Sequence, residues 1–425
     1  MFTLLRRTLF TPRRLFLLAA AALCLAAGGG WAAWRLRAEP HLTAAEQALD
    51  RRDYPAARRE LAAYLQAWPE SGRAHFLAAR AARRLRLYDE AEDHLRACER
   101  LKWDPQAVAL ERVLADVQRG EMKAEPFLWD RVEAGDADAP EILEVLTQYY
   151  LDDYQLMRAK DCLDRYLRLR PDDLHALLGR AYIWERLLYF ADAAKDYRRA
   201  VERHPDDDPA RLRLAKNLLI TGEPAEALTH FERLAAHHPD DPEVRLGLAQ
   251  CRRRLGDAEA AQRLLDGLLA ERPDDAAVLA ERGLVALNQN RPAEAEGFLR
   301  KAVAAAPSDR EANYNLYQSL LRQGKDDEAK DRLAAVGRLD VDLARLDQVT
   351  KAVIQSPGDP ALRLEGGLLF LHNGQEEEGV RWLQEAVRLD PTLRPAHQAL
   401  ADYYGRAGRP DLAAVHERLA GGGRP

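Results

Sequence analysis

Few side chains in this 425-residue chain are spaced for chemistry. Cys24, Cys98, Cys162 and Cys251 stand far apart, with no CxxC or CxxCH spacing. They give no disulfide framework, zinc site or haem attachment. His230, His237 and His238 could put two imidazoles on one helix face, but no Cys or Glu completes a ligand set, so they read as surface histidines. The Pro-Asp-Asp triplets ending at Asp173, Asp207, Asp241 and Asp275 lack the Asp-x-Asp-x-Asp-Gly spacing of a calcium loop. An Asp just before a helical run is better placed to cap it. Phosphate-binding, dinucleotide, metalloprotease and serine-hydrolase motifs are absent from the sequence. The chain therefore reads as non-enzymatic, with no cofactor, no metal and no small-molecule substrate.

Charge narrows the partners. Of 63 basic residues 54 are Arg, which fits a high-GC bacterial genome better than a function. Residues 1–37 hold six Arg and no acid, leaving a net charge of −12 on the remainder. An acidic body does not neutralise phosphates, so nucleic acid is not an expected partner.

The basic segment 1–14 leads into Leu15–Trp34, a run of 20 residues without a charge. At about 1.5 Å per residue it spans about 30 Å, one hydrocarbon core. Four preceding Arg outnumber Arg35 and Arg37 behind it, and Trp31 and Trp34 suit an interface. We read 15–34 as a single-pass transmembrane anchor with the body on the periplasmic or extracytoplasmic side. A cleaved signal peptide is the rival reading, with processing in the Ala-rich sequence before Gly28.

The elements that follow repeat. Pro171, Pro205, Pro239, Pro273 and Pro307 fall 34 residues apart, as do Pro357 and Pro391. Nine units in that phase fill 38–343, an insert occupies 344–359, and two further units and a tail fill 360–425. Unit position 20 is Ala in nine of the eleven and Gly379 in a tenth, and position 8 is Ala or Gly in eight. Position 24 is bulky, as at Trp129, Tyr197 and Phe231. Position 15 is Gly in six units, where a left-handed residue ends a first helix.

These columns resemble the tetratricopeptide repeat. The resemblance covers 38–425 and implies an all-α helical solenoid, a superhelix of antiparallel helix pairs. Small residues at 8 and 20 would sit at the tightest helix contact, and Pro at 32 would stop the second helix. Unit 106–139 departs most, with Val113 at position 8, Glu125 at 20 and no Pro at 32. Val341 stands where unit 310–343 should have Pro. Leu339, Leu343, Leu346 and Val353 then keep a helical stripe through the insert, predicting a long or additional helix over about 338–355 that closes at Ser356-Pro357-Gly358.

The resemblance also implies where binding occurs. First helices line a concave groove, with positions 2, 5, 9, 12 and 13 facing a partner. Here the expected partner-binding residues are Phe76, Arg80, Arg83, Arg84, Tyr182, Arg186, Lys216, Gln250, Arg253, Arg254, Tyr314 and Arg322. Arg and aromatic side chains are enriched at binding hot spots. No unit has the Lys at position 5 or Asn at position 9 that the family uses to clamp C-terminal carboxylates. The expected function is a membrane-tethered scaffold for a protein or extended peptide. The alternative is an accessory of polysaccharide export or glycan assembly.

Overall fold

The computed structural model describes residues 38–423. The expected basic segment and the anchor Leu15–Trp34 lie outside the described residues. Among the described residues no helix is long and apolar enough to cross a membrane.

Residues 38–423 form 22 α-helices and no strands, in antiparallel pairs joined by short turns. First helices open at Leu174, Asp208, Pro242, Ala276 and Arg310. The second Asp of each triplet does what its position suggested. Asp207 accepts from the Ala210 amide at 2.8 Å and Asp241 from the Glu243 amide at 2.8 Å. Each such cap is worth about 1 kcal/mol.

Between the helices of every pair the chain passes through the left-handed region at unit position 15. Gly120, Gly222, Gly256, Gly324, Gly374 and Gly408 hold it in six units. The other five put Arg52, Arg86, Tyr154, Leu188 and Asn290 there, with φ between 54° and 63°. A side chain in that conformation costs about 1–2 kcal/mol. The turn geometry is therefore imposed by the helix pair and not by glycine.

Small residues hold the pairs together. Ala57, Ala159, Ala193, Ala227, Ala261 and Ala295, all at position 20, are wholly buried. A Cβ added at Gly367 would meet the Gly379 carbonyl at 3.0 Å, and one at Gly379 would meet the Gly367 carbonyl at 2.9 Å. Positions 8 and 20 thus face each other across the closest approach.

Two segments leave the regular pattern. The second helix of unit 106–139 shrinks to the nine residues Glu125–Glu133, with Leu128 its one buried residue. The second helix of unit 310–343 instead continues through the insert as the 30-residue helix Asp326–Gln355, with Ser356 as its C-cap. Without Pro at 341 nothing stops it. Val336, Leu339, Leu346, Val349 and Val353 form its buried stripe, while Leu343 is 36% exposed and not part of it.

The described residues form two compact units, an N-terminal and a C-terminal one, that divide between Tyr149 and Tyr150.

Candidate interaction surface

First helices line the inner side. Within each unit, first helices of consecutive repeats touch: Gly72–Arg84 meets Pro105–Gln118, and Ala276–Asn288 meets Arg310–Arg322. Second helices make no comparable contact. The side chains expected to face a partner lie on these inner helices, but their fates differ.

In the N-terminal unit the inner face is filled by its own charges. Glu111 accepts from Arg80 Nε and Arg83 Nε, each at 2.6 Å. Arg80 also reaches Asp138 at 3.0 Å, and Arg84 Nε reaches Glu141 at 2.8 Å. Arg83 pairs with Glu141 as well, and Glu144 takes both Arg84 and Arg52. Four guanidiniums and four carboxylates balance. Burial works to raise the Glu141 carboxyl, but Arg84 and Arg83 overcome it and hold the group well below the usual carboxylate range. Arg83 is 1% exposed and Phe76, packed against Trp103, is 9% exposed. Phe76, Arg80, Arg83 and Arg84, expected to face a partner, are buried or held in ion pairs within the chain.

In the C-terminal unit the inner face stays more open. Tyr182 and Tyr314 are each 39% exposed. Lys216 is half exposed beside Glu243, and Gln250 is half-buried. Arg253 pairs with Glu281 at 2.5 Å. Arg254 and Arg322 are exposed, yet each spends a donor on the first helix of the preceding repeat, at the Leu219 and Leu287 carbonyls. Those two arginines thus act as C-caps. Sequence reasoning missed Ile220, Leu321 and Leu368, exposed apolar side chains at positions 13, 12 and 9 of the same frame. The signal was present, but polar and aromatic residues were favoured over aliphatic ones.

Arg186 is drawn elsewhere, into a seam where the C-terminal unit closes on itself. Its Nη2 donates to the Tyr154 hydroxyl at 2.9 Å, and it pairs with Glu378. Glu378 accepts from the Tyr154 hydroxyl at 3.1 Å and from Trp382 Nε1 at 2.7 Å. Arg388 pairs with Asp153, and Arg381 donates to Tyr182 at 3.4 Å. Trp382 is 2% exposed and Arg363, stacked on it, is wholly buried.

The histidines split up. His237 and His238 both meet Asp208, at 2.9 and 3.0 Å, while His230 lies against Arg211. Among the described residues no group of three or more His, Cys, Asp or Glu is placed to hold a metal ion. Burial pushes the Cys98 thiol up to about 11 and the Cys251 thiol to about 12. Neither is a thiolate at neutral pH, and so neither is a nucleophile.

Stacked helix pairs of this period, with small residues at the intra-pair contact and inner first helices, define a superhelical repeat scaffold. Models described as tetratricopeptide repeat match residues 218–281 and 286–349 in one version and 42–104, 146–208 and 188–242 in another. The chain belongs to the tetratricopeptide repeat family. It is similar to the TPR repeat-containing thioredoxin TTL4 of Arabidopsis thaliana, at 38% identity over 71 residues, 17% of this chain. Those residues span about a tenth of that protein's length. Among solved structures it resembles a human IFIT1 dimer with m7Gppp-AAAA, at 18% identity and a TM-score of 0.37 over 82% of this chain and 89% of that one. It also resembles PilW, described as a widely conserved type IV pilus biogenesis factor, at 19% identity and a TM-score of 0.39 over 46% of this chain and 90% of that one. Neither likeness bears on function.

Proposed function

We propose that this chain is a non-catalytic scaffold that holds a protein or extended peptide along the inner face of residues 150–425. One observation carries the reading. Tyr182, Ile220, Tyr314, Leu321 and Leu368 expose between 39% and 59% of their surface on the inner helices. Exposed apolar side chains grouped on one face mark interaction sites. Their chemistry suits apolar side chains of an extended segment. Lys216, Gln250, Arg254 and Arg322 supply polar contacts at its edges.

The scaffold is tethered to a membrane through Leu15–Trp34, with the repeats on the extracytoplasmic side. The arginine asymmetry about that segment supports this orientation. Protease added to intact spheroplasts then digests residues 38–425, and full protection defeats the orientation.

Photo-crosslinking amino acids placed singly at Ile220, Tyr314 and Leu321 test the groove in the native host. Adducts from these positions and none from the outward Leu333 and Val415 are expected. Adducts from the outer positions alone would remove the inner face as the binding surface.

A further inference from the structure

Every helix from Leu156–Leu169 to Glu376–Leu389 packs against the next, and the seam ties the end of that run back to its beginning. One lip of the seam carries Asp153, Tyr154 and Arg186, the other Glu378, Trp382 and Arg388. The inner face of the C-terminal unit is thereby closed into a circuit. Its exposed side chains run round that circuit, from Tyr182 and Ile220 through Tyr314 and Leu321 to Leu368. A polypeptide lying along them is encircled while the seam is shut.

The seam is not built like the contacts between neighbouring repeats. Repeat packs on repeat through buried aliphatic side chains, as where Leu265 and Leu268 meet Val278 and Val285. Across the seam no two described helices pack backbone to backbone in that way. Beside the Tyr154–Trp382 ring contact, long polar side chains bridge it by their tips: Arg186 to Glu378, Arg388 to Asp153 and Arg381 to Tyr182. The packing is also incomplete, since a cavity of about 160 Å³, half open to solvent, remains between the lips. Closure strands donors as well. Arg186 Nε, Arg363 Nε and Arg363 Nη1 are buried without hydrogen-bond partners. The Tyr154 ring covers Arg363 at 4.3 Å, so parting the lips lets water reach groups that the closed seam leaves unpaired. A polar, underpacked contact of this kind opens before the apolar ones around it.

We propose that the seam is a gate, which parts to admit an interior segment of a polypeptide sideways into the inner face and recloses round it. That the guest is a polypeptide rests on the groove reading above. The repeats themselves stay packed, and only the polar bridges across the seam are broken and remade.

The test uses the detergent-solubilised full-length chain with Cys24→Ser, Met157→Cys and Gln384→Cys. The two new cysteines take exposed positions outside the hydrogen bonds of the seam, and the native Cys98, Cys162 and Cys251 are buried. Spin labels on the pair, read by pulsed electron paramagnetic resonance, should give a short and a long distance. The long population should grow about three-fold between about 50 mM and about 1 M salt, as the half-exposed ion pairs are screened. A single short distance at both salts overturns the gate. Joining the same cysteines with a bismaleimide then locks the seam. The probe is an unfolded segment carrying Leu and Tyr in a Gly/Ser background, flanked at both ends by folded domains too large to thread. The unlocked chain is expected to capture it, and locking should weaken capture at least ten-fold. Equal capture by locked and unlocked chains overturns the proposal. Capture only of the same segment with free ends means threading, and overturns sideways entry. An opening seam that captures neither probe overturns the admission role. Photo-adducts from Ile220, Tyr314 and Leu321 report separately on the groove, so that their presence confines such a failure to the gate and their absence sinks the groove reading with it.

Discussion

Trp382 Nε1 lies 3.1 Å from the Tyr154 hydroxyl, although 228 residues separate them. Both are bonded to one carboxylate, Glu378. A buried acceptor shared by an indole, a phenol and the Arg186 guanidinium makes this seam specific, since losing one partner strands the others. A solenoid contacts only its neighbours in the simplest case. Here a non-local contact is added, and unfolding of residues 150–425 should be more cooperative than a plain array.

Glu378→Gln tests the seam. It removes the charge facing Arg186 while keeping an acceptor, and the uncompensated buried cation should cost about 3–5 kcal/mol. Hydrogen exchange should rise at residues 153–158 and 376–389 together. A rise confined to 376–389 would mean that the two lips are not coupled.

Arg83 makes the corresponding case in the N-terminal unit. Arg83→Met leaves Glu111 and Glu141 short of a partner in a buried setting, for a loss of about 3–5 kcal/mol. Since Glu141 is held below the ordinary carboxylate range, this stability is present above pH ~4.3 and declines as pH falls below it. Denaturant unfolding at pH 7 and pH 3.5 measures both effects. An Arg83→Met chain as stable as the parent at pH 7 would show the network to be dispensable.

How much of this was legible follows from sequence distance. The contact of positions 8 and 20 lies within one repeat, so Gly367 and Gly379 announce it. The Asp caps are more local still. Arg83 was placed on the correct inner face, but its partners Glu111 and Glu141 stand 28 and 58 residues away. The frame says which face a residue occupies and not how near two faces come. The repeat between those that carry Arg83 and Glu141 has a second helix of only nine residues, Glu125–Glu133. The seam depends on the path of the whole C-terminal unit, which no local pattern encodes.

Ala227 is wholly buried where two helices approach most closely. Ala227→Leu should overpack the contact and destabilise by about 1–3 kcal/mol. Melting followed by circular dichroism checks it, and an unchanged melting temperature would count against close packing at position 20.

Leu188 is held left-handed at φ 63° and is 57% exposed. Leu188→Gly removes the Cβ clash and gives up little buried surface, so stability should rise by about 1 kcal/mol. Chemical denaturation gives the sign directly. A loss instead would mean that the exposed leucine packs more than its surface suggests.

Two histidine pairs occupy equivalent places in repeats far apart along the chain. His75 Nδ1 faces His94 Nδ1 at 2.9 Å, and His397 Nδ1 faces His416 Nδ1 at 2.9 Å. His75 Nε2 donates to the Pro69 carbonyl at 3.0 Å and His397 Nε2 to the Pro391 carbonyl at 3.1 Å. Those bonds leave His75 and His397 with a bare Nδ1 as acceptor, so His94 and His416 must donate. Burial, then the neighbouring imidazole, lowers the pKa of both donors. Glu90 and Asp93 oppose the shift at His94, and Arg58 adds to it. With the folded values below the unfolded one, the unfolded chain takes up the proton first. Stability is then full above pH ~6.5 and falls as pH drops below it. The melting temperature of the full chain should decline between pH 7.5 and 5.5, above the range where carboxylates titrate. His94→Asn with His416→Asn should flatten that decline, because the asparagine amide still donates but carries no titratable group. A double variant with the parent's slope would assign the acid sensitivity to other groups.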